Sequence, residues 1–141
     1  MIVCVAVDDN FGMTFNKRRQ SQDKCLRSEL LQTAKESILW MNHYSAKQFE
    51  VPLPENVRVD EDFLKKAGAK DVCFVENLPV ADYKEQIKKV ILFKWNREYP
   101  ADWHFDILVA QPGWKLLSVR EFQGNSHEKI TREEWEYVPI R

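Results

Sequence analysis

Asp23 is the side chain in this sequence best suited to orient a small ligand. It follows an apolar strand, a turn containing Gly12 and a basic segment, and it lies three residues before Leu26, where a helical pattern begins. Burial beside apolar residues disfavours ionisation of a carboxylate, and its two oxygens can bind the edge of an amidine-like heterocycle. Asp23 is therefore the candidate catalytic acid. The alternative is an acid of the first helical turn, stabilised by the helix dipole by about 0.3–1 kcal/mol.

A run of three basic residues, Lys17, Arg18 and Arg19, precedes that acid. These side chains could bind the phosphate of a ligand, a nucleic-acid backbone or an acidic partner. Adjacent charges in a loop are also commonly solvated, and Asp8 and Asp9 are close enough in sequence to balance them. We name the three basic residues as the candidate anion-binding segment.

A further polar cluster, Asp102, His104 and Asp106, would share one face of an extended strand. One histidine between two carboxylates could act as an acid and base or hold a metal ion. A metal site needs more ligands than this segment supplies, and His43 and His127 are far away in sequence. The sequence therefore predicts no metal site, and surface polarity is the simpler interpretation.

The chain has five tryptophans, which is a high number for 141 residues. They could stack on a planar ligand or on bases. Those in strand-like runs are better explained by packing in the core and at sheet edges. Trp103 lies in a polar segment, so we expect it to contact a ligand or a second copy of the chain.

Composition points to one soluble α/β domain over residues 1–141. Hydrophobic residues make up 44% of the chain and charged residues 30%, a balance typical of globular proteins. Lysine and arginine number 21 against 22 acids, so no overall field attracts nucleic acid or a membrane. We expect a small-molecule partner, and a homodimer is compatible with this surface.

The targeting and redox signals are those of a cytoplasmic protein. The apolar start, Ile2 to Val7, is too short for a membrane span and lacks the basic flank of a signal peptide. Cys4, Cys25 and Cys73 are odd in number and far apart, which is typical of buried thiols in a reducing compartment.

Apolar runs predict the strands of a sheet that is covered on both faces. Between them, helical spacing predicts a helix capped by Ser21 and running to about Glu36, and further helices at 45–49 and from Asp60 to Gly68. Another helix is predicted around Tyr83 and Ile87. The strands are expected at 2–7, 38–41, 57–59, 72–75 and 90–95, alternating with these helices.

The end of the chain changes character. Asn96 to Asp106 reads as an aromatic-rich loop, and Trp114 to Phe122 alternates as a strand does. The tail from Ile130 to Ile140 fits either a helix, through a capping box at Thr131, or a final antiparallel strand, which we favour. The predicted architecture has three layers: a mainly parallel central sheet, helices on both faces and an antiparallel C-terminal strand pair.

In its order of elements the chain resembles the dihydrofolate reductase fold. Ile2 to Asp8 is similar to that family's first strand, and Asp23 lies close to the position of its substrate-binding acid. The resemblance implies a phosphate-contacting turn ending at Ser45. We expect the ligand cleft to lie beside the first strand. Its predicted lining is Val5, Ala6, Met13, Leu26, Ser45 and Trp103.

Three departures from the reductase pattern affect its cofactor half. The second glycine motif, through which the backbone approaches the nicotinamide ribose and pyrophosphate, is Glu76-Asn77 here. The segment between Phe49 and Val72 is shorter than in reductases. A proline–tryptophan pair of the substrate loop is replaced by residues 18–21. We therefore expect no cofactor, with NADPH required only if the chain is a divergent reductase.

Three functions remain open from the sequence. The first is a non-catalytic binding or regulatory protein for a small heterocyclic or nucleotide-like ligand. The second is a divergent NADPH-dependent reductase, and the third is a protein-interaction module that uses the basic loop and the aromatic segment. The chain also resembles short bacterial proteins that are sometimes labelled ribonuclease Z. Its residues do not support that activity, because the zinc-binding His-x-His-x-Asp-His cluster is missing.

Overall fold

The strand Ile2–Val7 (β1) lies within the main sheet, as its unbroken apolar sequence predicts. In the computed structural model, which describes residues 1–139, β1 pairs in parallel with strands on both sides. Val3 and Val5 face one hydrophobic cluster and Cys4 faces the other, and all three are fully buried. Because both faces are covered, β1 has no polar side.

The remaining elements follow in chain order. Strands β2 to β5 are Gly12–Phe15, Arg18–Arg19, Leu39–Met41 and Val57–Val59, and strands β6 to β10 are Val72–Phe74, Lys89–Lys94, Trp103–His104, Trp114–Phe122 and Ile130–Tyr137. Helices α1 to α3 are Lys24–Thr33, His43–Ala46 and Phe63–Lys66, and Ala81–Tyr83 forms a 3₁₀ helix.

The main sheet has seven strands in the order β5-β4-β6-β1-β7-β10-β9. The first five strands in this spatial order, β5, β4, β6, β1 and β7, are parallel to one another. Strand β10 runs antiparallel to both of its neighbours, β7 and β9. The predicted mainly parallel sheet with an antiparallel C-terminal pair is therefore confirmed. The ambiguous tail forms a strand up to Tyr137, and Ile140 lies outside the described residues.

Helices cover both faces of the parallel part of this sheet, which confirms the predicted three layers, whereas the edge strand β9 is largely exposed. Leu26 and Leu30 of α1 lie in one cluster with Phe93, and Phe63 of α3 lies in the other with Val5. Each cluster takes alternate residues of the same strands, as the period of two requires.

A second, smaller sheet corrects two predictions. The segment 17–20 is not simply a loop, because Arg18–Arg19 pairs with β2. The segment 96–106 is not a continuous loop either, because Trp103–His104 pairs with the other edge of β2. Asn16 and Lys17 have positive φ angles of 51° and 64°, the backbone that a tight two-residue hairpin turn requires.

The predicted helices are shorter in the structure. The helix expected at 60–68 is confined to Phe63–Lys66. Around Tyr83 and Ile87 there is only a 3₁₀ turn, whose first N–H groups, those of Val80 and Ala81, donate to the Asp106 carboxylate. A contact from a distant loop thus organises this segment. Within residues 1–139, no helix is long and apolar enough to cross a membrane.

The packing of α1 gives a direct test of the fold. Leu30 is fully buried, so Leu30→Ala should lower the free energy of unfolding by about 2–5 kcal/mol through lost burial and a cavity. Leu108→Ala is the matched control, because Leu108 is 61% exposed. Urea unfolding measures both variants; similar losses in the two would contradict the assigned core.

Candidate ligand-binding site

Asp23, the predicted catalytic acid, begins helix α1. It, and not Ser21, is the N-cap, because its Oδ1 accepts hydrogen bonds from the N–H groups of Cys25 at 2.8 Å and Leu26 at 3.3 Å. The same oxygen accepts the N–H of Asn125 at 2.9 Å. One carboxylate oxygen therefore joins the start of α1 to the turn between β9 and β10.

The second oxygen of Asp23 is also used within the chain. Oδ2 accepts the N–H of Ser126 at 2.8 Å and its hydroxyl at 3.1 Å, and it lies 3.2 Å from Nδ1 of His127. Burial by itself raises the pKa of Asp23, but hydrogen bonds from Asn125, Ser126 and His127 hold that pKa far below its usual range. Asp23 is only 2% exposed, so a ligand could bind it only by displacing these donors.

Gly124 leaves space for this arrangement. A Cβ at residue 124 would lie 2.6 Å from Oδ2 of Asp23 and 2.7 Å from the carbonyl oxygen of His127. Both distances are below any ordinary contact. The turn can therefore close over the carboxylate only with glycine at this position.

His127 is the residue at this site that sequence reasoning missed. Its ring stacks on Trp95 with centroids 4.4 Å apart, and its Nε2 lies 3.0 Å from the Tyr99 hydroxyl and 3.2 Å from the Ser21 hydroxyl. If Nδ1 carries the proton donated to Asp23, Nε2 accepts from one of these hydroxyls. No motif connects Asp23 with a histidine 104 residues later, so no local signal could have found the pair.

The residues predicted to line the cleft differ in their exposure. Val5, Met13, Leu26 and Ser45 are buried, with at most 4% of each exposed, and Ala6 is half-buried. Trp103 is 36% exposed. The structure thus places most of this predicted wall in the interior and only Trp103 clearly at the surface.

Glu76 is the residue at which the resemblance to reductases predicts a glycine. Its carboxylate pairs with the Arg19 guanidinium, with Nε donating to Oε2 at 2.8 Å and Nη2 to Oε1 at 3.1 Å. Oε1 also accepts the hydroxyl of Ser45 at 2.8 Å and the amide of Gln48 at 3.1 Å. A buried charge requires such partners.

The three basic residues of the candidate anion-binding segment are separated by the hairpin. Arg19 turns inward, where its guanidinium lies over the Tyr44 ring at 4.3 Å and donates to the Tyr44 carbonyl at 3.0 Å. Lys17 and Arg18 are exposed at the turn. They do not join Arg19 in one cluster of free cations.

A reductase cofactor does not fit the residues at the glycine position. The Glu76 carboxylate would face the negative charge of a pyrophosphate, and its side chain takes space that glycine leaves to the ligand. The neighbouring Asn77 accepts a hydrogen bond from the Asn42 amide at 2.9 Å. Glu76 and Asn77 are thus both hydrogen-bonded to other side chains of this chain.

An open groove lies beside Asn77. It has a volume of about 440 Å³ and is lined by Thr14, Lys17, Asn77, Asp102 and Trp103. Thr14 and Trp103 are cross-strand partners in the small sheet, so they face the same side. The groove combines an aromatic ring with an ammonium, a carboxylate, a hydroxyl and an amide.

The polar cluster predicted at residues 102–106 is dispersed. Asp102 accepts the N–H of Asn16 at 3.1 Å, whereas Asp106 accepts from the segment at 80–81. His104 is exposed. Across the described part of the chain, no group of three or more histidine, cysteine or acidic side chains could hold a metal ion.

Comparison with solved structures shows a dihydrofolate reductase-like fold. A dihydrofolate reductase from Enterococcus faecalis, complexed with NADP(H) and RAB-propyl, superposes with a TM-score of 0.64 over 98% of this chain and 96% of that one. The two sequences are 11% identical, so the likeness establishes the fold alone. No protein-family model matches the chain, and a search of curated proteins found no match to it.

The low pKa of Asp23 predicts how stability depends on pH. A carboxyl whose folded pKa is depressed stabilises the protein above its unfolded pKa of about 3.9, and this contribution is lost as pH falls toward the folded pKa. Asp23→Asn should lower the free energy of unfolding at pH 7 by about 1–3 kcal/mol, because it puts an amide group in place of a hydrogen-bonded carboxylate.

Urea unfolding of the wild type and the variant between pH 3 and pH 7 measures this dependence. The difference between them should shrink below about pH 4. Asp9→Asn is the control, because Asp9 is an exposed acid in the turn after β1. A difference that stays constant with pH would contradict the assigned hydrogen bonds.

Proposed function

We propose that the protein is a non-catalytic binding or regulatory protein that takes a small heterocyclic ligand in the groove lined by Thr14, Lys17, Asn77, Asp102 and Trp103. The observation that carries this proposal is the open groove itself, whose lining includes Asn77, the residue after Glu76. The groove offers space for a ligand, whereas the Glu76–Arg19 ion pair involves the residue at which the resemblance predicts a cofactor-binding glycine.

The chemistry of the groove supports a planar ligand. An indole ring such as that of Trp103 stacks on heterocycles, and Lys17, Asp102 and Asn77 provide charged and amide groups for their polar edges. The volume of about 440 Å³ falls within the range of small-molecule sites. This pairing of one aromatic face with several polar groups suits a pterin or a nucleoside.

The absence of a reaction is supported by the state of Asp23. Its oxygens already accept hydrogen bonds from the backbone and from His127, and its depressed pKa keeps it ionised at neutral pH. An acid that orients or protonates a substrate must be within hydrogen-bond reach of it. Asp23 is buried beneath the turn at residues 124–127 instead.

Addition of NADPH should leave the melting temperature unchanged. A cofactor that binds the native state stabilises it by mass action, and the Glu76 carboxylate opposes the binding of a polyphosphate. Differential scanning fluorimetry measures the effect, with the Enterococcus faecalis reductase as positive control. Saturable stabilisation of this protein by NADPH would instead favour the divergent reductase.

Ligand binding in the groove should depend on Trp103. We expect a pterin or adenosine to bind in ligand-observed NMR, and Trp103→Ala to weaken that binding roughly tenfold through the loss of one stacking contact. Phe15→Ala is the matched control, because Phe15 is exposed on the opposite face of the same small sheet. If neither probe binds, or if the two variants behave alike, the proposed groove is wrong.

A further inference from the structure

The surroundings of the Glu76 carboxylate have the composition of an anion-binding site. Arg19 supplies a cation with two N–H donors, Ser45 supplies a hydroxyl and Gln48 supplies an amide, and all of them donate to this one carboxylate. Hydrogen bonds of this kind to carboxylates and phosphates are short and strong. Glu76 itself is 8% exposed.

Contacts other than those with Glu76 hold two of these donors in place. The Arg19 guanidinium lies over the Tyr44 ring, and the Arg19 backbone N–H donates to the Tyr44 hydroxyl at 2.8 Å. The Ser45 N–H donates to the Asn42 side chain at 3.0 Å. The arrangement of Arg19 and Ser45 is therefore expected to persist when the carboxylate is removed.

A small anion could reach this position from solvent. The side chain of Arg19 retains 19% of its exposure, and Gln48 is half-buried. The atoms of the Glu76 side chain beyond Cβ occupy the space between these donors that a phosphate would need. Truncation of residue 76 would open the cradle formed by Arg19, Ser45 and Gln48.

We propose that Glu76 is a built-in occupant of this anion cradle and thereby excludes phosphate-bearing ligands from the cleft. The carboxylate satisfies the cation that would otherwise attract such a ligand, and it repels a second anion. This inference rests on the proposed function and sharpens it, because it limits the groove ligand to one without a phosphate at the cradle. Glu76 is then a specificity-determining residue.

Truncation of Glu76 tests the proposal with inorganic phosphate as the probe. In phosphate-free buffer, Glu76→Ala should melt at a lower temperature than the wild type, because the Arg19 cation loses its partner. Added phosphate at constant ionic strength should restore much of this loss and saturate in the millimolar range. The wild type should show only the shallow, unsaturated increase that phosphate causes through preferential exclusion.

The double variant Arg19→Met/Glu76→Ala is the matched control. It lacks both the carboxylate and the cation, so it should respond to phosphate as the wild type does. Line broadening of the inorganic phosphate signal in ³¹P NMR gives an independent reading and should appear with Glu76→Ala alone. Glu76→Gln keeps the size of the side chain and should therefore show little phosphate binding.

Three results would overturn the proposal: a folded Glu76→Ala protein with no saturable response, an equal response in the double variant, or saturable phosphate binding by the wild type. If Glu76→Ala does not fold, a failure of phosphate to increase the yield of refolded protein counts against it equally. No groove ligand is present in these measurements. Failure of the cradle is therefore distinguishable from failure of pterin or adenosine to bind beside Trp103.

Discussion

Burial of the Asp23 carboxylate is the constraint that determines how the C-terminal hairpin β9–β10 packs on helix α1. A buried charge is costly unless it is fully hydrogen-bonded, and Asp23 obtains its donors from the start of α1 and from the turn at residues 124–127. The antiparallel hairpin β9–β10 is thereby held across the beginning of α1. Gly124 and His127 complete the arrangement, the first by its lack of a side chain and the second by its stacking on Trp95.

The same requirement organises the other side of the molecule. Glu76 follows the end of β6, and its carboxylate is satisfied by Arg19 from the hairpin β2–β3 and by Ser45 from α2. The ion pair therefore joins the small sheet to the main sheet. It lies at the residue for which the resemblance to reductases predicts a glycine, and the proposed exclusion of phosphate rests on this contact.

The likeness to dihydrofolate reductase concerns the fold and not the chemistry. The chain superposes over nearly its full length on a reductase with 11% sequence identity, because the order of buried strands and helix faces is maintained by many apolar residues, each of which can be replaced by another. A cofactor site depends on a few specific side chains and on glycines. Where the resemblance predicts two such glycines, this chain has Glu76 and Asn77, which are hydrogen-bonded to its own residues.

The sequence by itself determined the layers and the central strand, and it favoured the antiparallel closing pair that the structure confirms. The unbroken apolar run of β1 indicates a strand covered on both faces, whereas β9 is largely exposed and its apolar residues follow no strict period of two. The tertiary structure alone decided the partners of the charged groups. Asp23 was visible as a helix-start acid, but its partner His127 lies 104 residues away, and Arg19 and Glu76 are 57 residues apart. A short apolar pattern indicates which face of an element is buried. The hydrogen-bond donor to a buried charge, by contrast, can come from a distant segment, and only the complete fold brings the two together.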